Sequence, residues 1–299
     1  MAYESWFRSE IGENGAFIRQ KNRFTSPFGS GEGELPVQSG RYQIIASYAC
    51  PWAHRQLIAR KLLGLEEHIS VQIVDPVRPE SEFSDWKFID SDTRLSEIYL
   101  KSDPEYKGRF TVPSVLDLTT GKIVNNDYFN LTYYWEREWK ALHKDGVPDL
   151  LPDDLQEDIV SLNDIIFNDI NNGVYKAGFS NSQEEYEKAY DALFARLDEF
   201  EKRLEGQKFL FGDRLTDSDI RLYVSLARFD AAYYSVFRCN RNRLIDFKNL
   251  WNYAKRLYAI PAFNETTNFE HIKKHYCICC DPGNTHSLVP KGPDLSVWR

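Results

Sequence analysis

No stretch of this 299-residue chain approaches the roughly 18 uncharged apolar residues that a membrane-spanning helix needs. The first ten residues, MAYESWFRSE, lack the apolar core behind a basic start that marks a secretory signal. Cysteine is scarce and odd in number, with 5 residues at positions 50, 239, 277, 279 and 280. A disulfide framework is therefore not implied, and a reducing compartment fits better. No internal repeat is present. A surplus of basic charge is missing too: the formal net charge is -8. That balance argues against broad contact with nucleic acid or an anionic membrane. These absences together imply a cytoplasmic protein with neither nucleic-acid nor membrane partners.

What is present is ordinary in bulk. Hydrophobic residues make up 42% and charged residues 27%, values typical of a soluble globular chain long enough for two domains. Aromatic residues reach 14%, with 17 Tyr and 7 Trp, enough to line a site for flat ligands.

Residues 1–39 read as an N-terminal extension. Within it, Ser26 to Gly33 (SPFGSGEG) is a loop whose glycines follow no strand, which excludes a phosphate-binding loop. Residues 41–47 have strand length and β-branched content. From Trp52 to Leu63, Ala53, Leu57, Ile58 and Leu62 repeat at helical steps, and Gly64 can close the helix. Residues 69–74 give a second strand, so 41–74 form a βαβ unit. Residues 76–110 are polar and mixed, an inserted excursion. Val112 to Leu116 and Ile123-Val124 flank a Thr-Thr-Gly-Lys turn, the pattern of an antiparallel hairpin. A helix is expected from about Asp127 to Leu142. The polar, Pro-containing stretch 143–152 is the expected domain boundary. Beyond it the periodicity is helical, notably over residues 183–205, and Thr216-Asp217-Ser218-Asp219 has the form of a capping box. From Cys277 onward no period remains, and 277–299 read as a tail. The expected divisions are therefore 1–39, 40–143, 152–276 and 277–299.

The strongest chemical signal is Ala49-Cys50-Pro51-Trp52-Ala53-His54-Arg55 between the first strand and the first helix. Cys50 falls at a helix N-terminus, where unpaired N–H groups and the dipole favour an anion. Such a position lowers a thiol pKa, and the thiolate is the nucleophile in thiol chemistry. Pro51 suits the first turn, where its missing N–H costs nothing. Three residues after Cys50 stands Ala53 rather than a second cysteine. The site is thus monothiol and needs an external thiol, which points to glutathione. The inert alternative is a buried structural cysteine. Val112-Pro113 adds a second signal: a proline opening a strand is often cis, and the residue before it offers its backbone to an extended peptide.

Seven stretches then carry a family resemblance: SYACPWAHR (Ser47–Arg55), GRFTVP (Gly108–Pro113), NNGVYKAGF (Asn171–Phe179), RFDAAY (Arg228–Tyr233), FRCN (Phe237–Asn240), HIKKHY (His271–Tyr276) and VPKGP (Val289–Pro293). Across nearly its whole length the chain resembles the glutathionyl-hydroquinone reductases, the Xi class of glutathione transferases. The resemblance implies a thioredoxin-like N-terminal domain, an all-helical C-terminal domain and a homodimer. It implies glutathione as co-substrate and no metal. It implies that Cys50 attacks the sulfur of a glutathionyl-hydroquinone, holds glutathione as a mixed disulfide and is freed by a second glutathione. By the same resemblance Trp86, Arg109 and Val112 contact glutathione, and Tyr175, Tyr233 and Tyr276 bind the quinol.

Two features depart from the family. Its usual Glu-Ser pair after the hairpin is here Asp127-Tyr128, at the γ-glutamyl end of glutathione. The shorter carboxylate implies weaker or altered glutathione binding, with the first-turn amides still open to a carboxylate. The tail carries Cys277, Cys279 and Cys280 near His271 and His275 without the C-x2-C spacing of structural zinc. Cys277, beside Tyr276, is either packed or open to oxidation at a pocket mouth. A neighbouring enzyme class, omega-like thiol transferase or dehydroascorbate reductase, would use the same Cys50.

Overall fold

The computed structural model describes residues 10–78 and 85–299. Part of the expected extension, residues 1–9, and part of the excursion, 79–84, lie outside the described residues. The chain divides into two compact units. One holds Gln20–Pro148; the other holds residues 10–19 together with Asp149–Arg299.

The first unit is built on a four-stranded sheet of order β2-β1-β3-β4. β1 (Tyr42–Ala46) leads through α1 (Pro51–Leu62) to β2 (Ile69–Ile73), which pairs parallel with β1 from Tyr42↔Ile69 to Ala46↔Ile73. α2 (Leu95–Ser102) follows, then β3 (Ser114–Asp117) antiparallel to β1 and β4 (Lys122–Asn125) antiparallel to β3. The expected βαβ unit and hairpin are thus in place, in a thioredoxin-like arrangement. Both faces of β1 are covered, as its apolar run requires, and α1 is buried from Pro51 through Ala59. The supposed extension is stitched to the sheet edge. Phe24 and Asn126 exchange bonds at 3.0 and 2.8 Å, and Thr25 bridges Asn125. The SPFG loop plugs the core with Phe28, 5.1 Å from the Tyr42 ring and 5.2 Å from Trp135.

The helix expected over 127–142 is shorter: α3 runs Leu131–Arg137, and a 3-10 turn occupies Lys140–Leu142. The cause is Asp127. Its Oδ1 accepts the Phe129 and Asn130 amides at 3.3 and 3.4 Å, making a side-chain turn that defers the helix.

The second unit is all-helical. α4 (Gln156–Ile165) passes through a π-helical turn, Ile166–Asn171, into α5 (Gly173–Phe179); α6 (Gln183–Arg203) follows. α7 (Asp217–Arg228) continues through a second π-helical turn, Phe229–Tyr233, into Tyr234–Val236. α8 (Lys248–Tyr258), α9 (Pro261–Asn264) and α10 (Phe269–Cys279) complete it. The Thr216–Asp219 capping box forms and starts α7. The tail begins later than expected, because α10 runs to Cys279 and carries Cys277 and Cys279 as buried helical residues. Among the described residues no helix is long and apolar enough to cross a membrane.

Candidate functional site

The site in the first unit grows from the end of β1. Ser47 shapes the turn: its hydroxyl accepts the Ala49 amide at 3.2 Å and its carbonyl the Cys50 amide at 3.1 Å. Cys50 is then the extended N-cap of α1 (φ -77°, ψ 120°), with Pro51 opening the helix. The Cys50 side chain makes no capping bond; instead Sγ lies 3.2 Å from the Val112 carbonyl oxygen, to which its S–H donates. The Val112–Pro113 peptide is cis. The Val112 N–H has no acceptor among the described residues. None of the five cysteines is in a disulfide, and Cys50 is the most open at 9% exposure, against 7% for Cys280 and 0% for Cys239.

Around this centre the sequence-predicted residues fall as follows. Tyr128 reaches the cysteine helix through Trp52, ring centres 5.0 Å apart, and the Arg55 guanidinium stacks on Trp52 at 4.7 Å. Arg78 stacks on the buried Trp86 ring at 4.0 Å, and Asp85 Oδ1 accepts the Trp86 and Ser96 amides at 2.7 and 3.0 Å. Arg109 is clamped at its backbone by Gln20 and Tyr106, whose amide and hydroxyl reach its carbonyl at 3.1 and 2.6 Å. Asp127 accepts from Asn22 at 3.2 Å and from the Asn130 side-chain amide at 2.7 Å, besides the two backbone amides. The expectation that the first-turn amides stay open is not met. Tyr128 N–H donates to Asn126 O, Phe129 N–H to Asp127 Oδ1, and both Asn130 and Leu131 N–H to Asp127 O. A carboxylate arriving here would meet side chains rather than a free helix end.

In the second unit the structure brings Tyr175, Tyr233 and Tyr276 together. The Tyr276 hydroxyl is shared, 2.5 Å from that of Tyr175 and 3.3 Å from that of Tyr233. Burial pushes the Tyr276 hydroxyl well above the usual tyrosine range, and Tyr175 and Tyr233 push it further. The group therefore stays protonated and able to donate at neutral pH. Tyr233 and Tyr276 are sealed at 0% and 1% exposure, and Tyr175 is the most open of the three at 8%. Each of the two tyrosine motifs adjoins a π-helical turn: Tyr233 ends one, and Tyr175 lies just past the other. Such turns recur at functional sites because they displace one residue out of helical register.

One residue of this cluster carried no local sequence signal. Arg19 stacks on Tyr175 at 4.8 Å and on Phe17 at 5.2 Å, and its Nε donates to Asn172 Oδ1 at 3.0 Å. Cys277 is packed, at 2% exposure, and burial raises its thiol pKa against the pull of Lys273. This excludes the pocket-mouth position considered above. His275 Nε2 stands 3.8 Å from Cys280 Sγ, and no group of three or more metal-binding side chains occurs among the described residues.

Comparison with known proteins gives a consistent result. The sequence model described as Glutathione S-transferase, C-terminal domain matches residues 183–256. The glutathionyl-hydroquinone reductase YqjG of Escherichia coli K12 is 37% identical over 97% of this chain and 93% of its own. Its glutathione-bound structure superposes with a TM-score of 0.82 at 37% identity, over 94% of each chain. The Xi glutathione transferase of Phanerochaete chrysosporium superposes at 0.88 with 38% identity, over 95% of each chain. An omega-like glutathione transferase of Schizosaccharomyces pombe is 37% identical over 95% of this chain and 96% of its own.

Proposed function

Since this chain belongs to the Xi-class glutathionyl-hydroquinone reductases of the glutathione transferase superfamily, we propose that it removes glutathione from glutathionyl-hydroquinones through Cys50. The observation that carries this is the Cys50 sulfur at the start of α1, 3.2 Å from the Val112 carbonyl beside the cis peptide. In the first step the Cys50 thiolate attacks the glutathione sulfur of the conjugate. The S–S bond forms, the carbon–sulfur bond to the ring breaks, and the ring carbon takes a proton to leave as hydroquinone. In the second step a glutathione thiolate attacks the mixed disulfide. Glutathione disulfide departs and Cys50 returns as thiolate, so atoms and electrons balance: one glutathione thiol and the conjugate's thioether sulfur become the disulfide as the ring carbon goes from C–S to C–H.

Glutathione is proposed to lie along Val112, pairing its backbone with the N–H and C=O of that residue as an added strand would. Trp86 and Arg109 flank it, and Asp127 and Tyr128 stand at the γ-glutamyl end. Tyr175, Tyr233 and Tyr276 are proposed to form the quinol site, with the Tyr175 hydroxyl meeting a quinol oxygen and Tyr276 and Tyr233 completing the chain of hydroxyls behind it. The homodimer and the cytoplasmic location belong to the same proposal.

Two variants test the division of labour. Tyr276→Phe removes the shared hydroxyl, and KM for a glutathionyl-hydroquinone is expected to rise about tenfold, about 1.4 kcal/mol of lost binding. Formation of the Cys50 adduct from glutathione disulfide should not change; an equal loss in both would deny the tyrosines a substrate role. The double variant Asp127→Glu/Tyr128→Ser restores the family pair. Calorimetry is expected to give it roughly fivefold tighter glutathione, about 1 kcal/mol, and unchanged affinity would remove these two residues from the glutathione site.

The similarity to omega-like transferases favours a second reading, a dehydroascorbate reductase using the same cysteine. Parallel assays decide between them. A kcat/KM for the hydroquinone conjugate at least about tenfold above that for dehydroascorbate is expected; the reverse order makes the second reading the function.

A further inference from the structure

Arg19 reaches the tyrosine cluster from a segment with strand-like alternation. Phe17 pairs with Ile11 in an isolated bridge, and Ile18 turns to solvent at 59% exposure. Phe17 and Arg19 therefore fall on the same side of the chain. The Arg19 guanidinium lies over two rings at once, 5.2 Å from the centre of Phe17 and 4.8 Å from that of Tyr175.

The first π-helical turn supplies the clamp that holds it there. The Asn172 N–H donates to the Phe167 carbonyl at 2.7 Å, a five-residue step that closes the turn. The buried Asn172 side chain accepts from Arg19 Nε at 3.0 Å. Tyr175 follows three residues later and shares that face of the helix. Its ring is fixed from other sides by Phe237, Phe179 and Tyr233, with centres 5.3, 5.7 and 6.0 Å away. A cation over the face of an aromatic ring is attracted to its electron density and holds the ring in place. A positive charge close to a hydroxyl also favours release of its proton, which strengthens it as a hydrogen-bond donor. Tyr175 is the most open of the three tyrosines, so Arg19 acts on the hydroxyl best placed to meet a ligand.

We propose that Arg19 is a positioning residue for the quinol: it acts through Tyr175, holding and polarising the phenol so that its hydroxyl donates to an oxygen on the ring of the conjugate. The charge at position 19 thereby favours conjugates whose ring carries that oxygen over plain S-aryl glutathiones. This role presupposes the quinol site proposed above.

The test measures binding rather than turnover, by titration calorimetry on the full-length Cys50→Ala protein. Two probes are compared: 2-(glutathion-S-yl)hydroquinone, and S-phenylglutathione, which has no ring hydroxyl. Arg19→Met keeps an apolar cover over the ring and removes the charge. It is expected to weaken the hydroquinone conjugate about fivefold and to leave S-phenylglutathione unchanged. Arg19→Gln serves if the first variant does not fold, with circular dichroism as the check. Tyr175→Phe should weaken the hydroquinone conjugate about tenfold. Adding Arg19→Met to it should cost nothing more, because the hydroxyl through which the charge acts is gone. Equal loss for both probes would make Arg19 a shaper of the pocket and overturn the proposal. So would a loss that persists in the Tyr175→Phe background, which would mean direct contact with the ligand, or full affinity in a folded Arg19 variant. Tyr175→Phe separates the two levels. If it leaves the hydroquinone conjugate unaffected, the quinol site is misplaced and the role of Arg19 falls with it; if it weakens binding and Arg19→Met does not, only the role of Arg19 falls.

Discussion

Replacing Cys50 with alanine is expected to lower kcat/KM for a glutathionyl-hydroquinone by about a thousandfold, some 4 kcal/mol of transition-state stabilisation. Serine should do no better, because a hydroxyl at neutral pH is a far weaker nucleophile than a thiolate and cannot form the disulfide. The loss should not be a loss of fold. Cys50 Sγ donates to Val112 O, and its backbone turn is made by Ser47, which the variant keeps. The other four cysteines are less exposed than Cys50, at 0–7% against 9%. Cys239 is sealed at 0% exposure with its thiol pKa raised by burial, and Cys277 is raised in the same way. Quinol release, glutathione affinity and the unfolding midpoint, measured on one preparation, check these points. Activity retained in Cys50→Ala would assign the chemistry elsewhere.

The second large effect concerns stability. Asp219 is fully buried at the start of α7, and its carboxylate accepts four bonds: from the Leu210 and Thr216 amides at 2.9 and 2.8 Å, the Thr216 hydroxyl at 3.1 Å and the Tyr253 hydroxyl at 2.8 Å. Asp219→Ala leaves those donors buried without an acceptor and is expected to cost about 3–5 kcal/mol at neutral pH. Urea unfolding would read the loss as a lower midpoint. The pH dependence has a defined sign. Burial raises this carboxyl from 3.8 to about 6 against the four donors, so the folded chain binds its proton more tightly than the unfolded chain does. That contribution is whole below the unfolded value and is lost as the pH rises through about 6. The stability gap between wild type and Asp219→Ala should therefore narrow by about 2–2.5 kcal/mol between pH 4 and pH 7. A gap that widens over that range would contradict the assignment.

The parts of the fold that were legible in the sequence are those whose contacts are local. β1, α1 and β2 follow from an apolar run, a helical period and a second run, and the ends fall within one residue of Tyr42–Ala46, Pro51–Leu62 and Ile69–Ile73. The cysteine position was legible for the same reason: a strand, Cys-Pro and a helix leave one place for the sulfur. The start of α3 was not. The run Asn125-Asn126-Asp127-Tyr128-Phe129-Asn130 offers several capping side chains, and only the three-dimensional bonds of Asp127 select Leu131 as the first helical residue. The π-helical turns were invisible because one extra residue per turn barely alters hydrophobic spacing over so short a span. The end of α10 was misplaced because cysteine reads as a weak helix former, whereas here Cys277 and Cys279 behave as small buried apolar residues. Arg19 was out of reach for another reason: its partner Asn172 lies 153 residues away, and no local pattern encodes such a pairing.

The most direct test of Cys50 as a covalent catalyst is a single turnover without free glutathione. Protein is mixed with an equimolar glutathionyl-hydroquinone, released quinol is quantified, and the intact protein and its peptides are weighed. One quinol per chain is expected, with one glutathione retained on the peptide that contains Cys50 and removed by added glutathione. Quinol released over many cycles without added thiol, or glutathione found on any other cysteine, would contradict the mechanism.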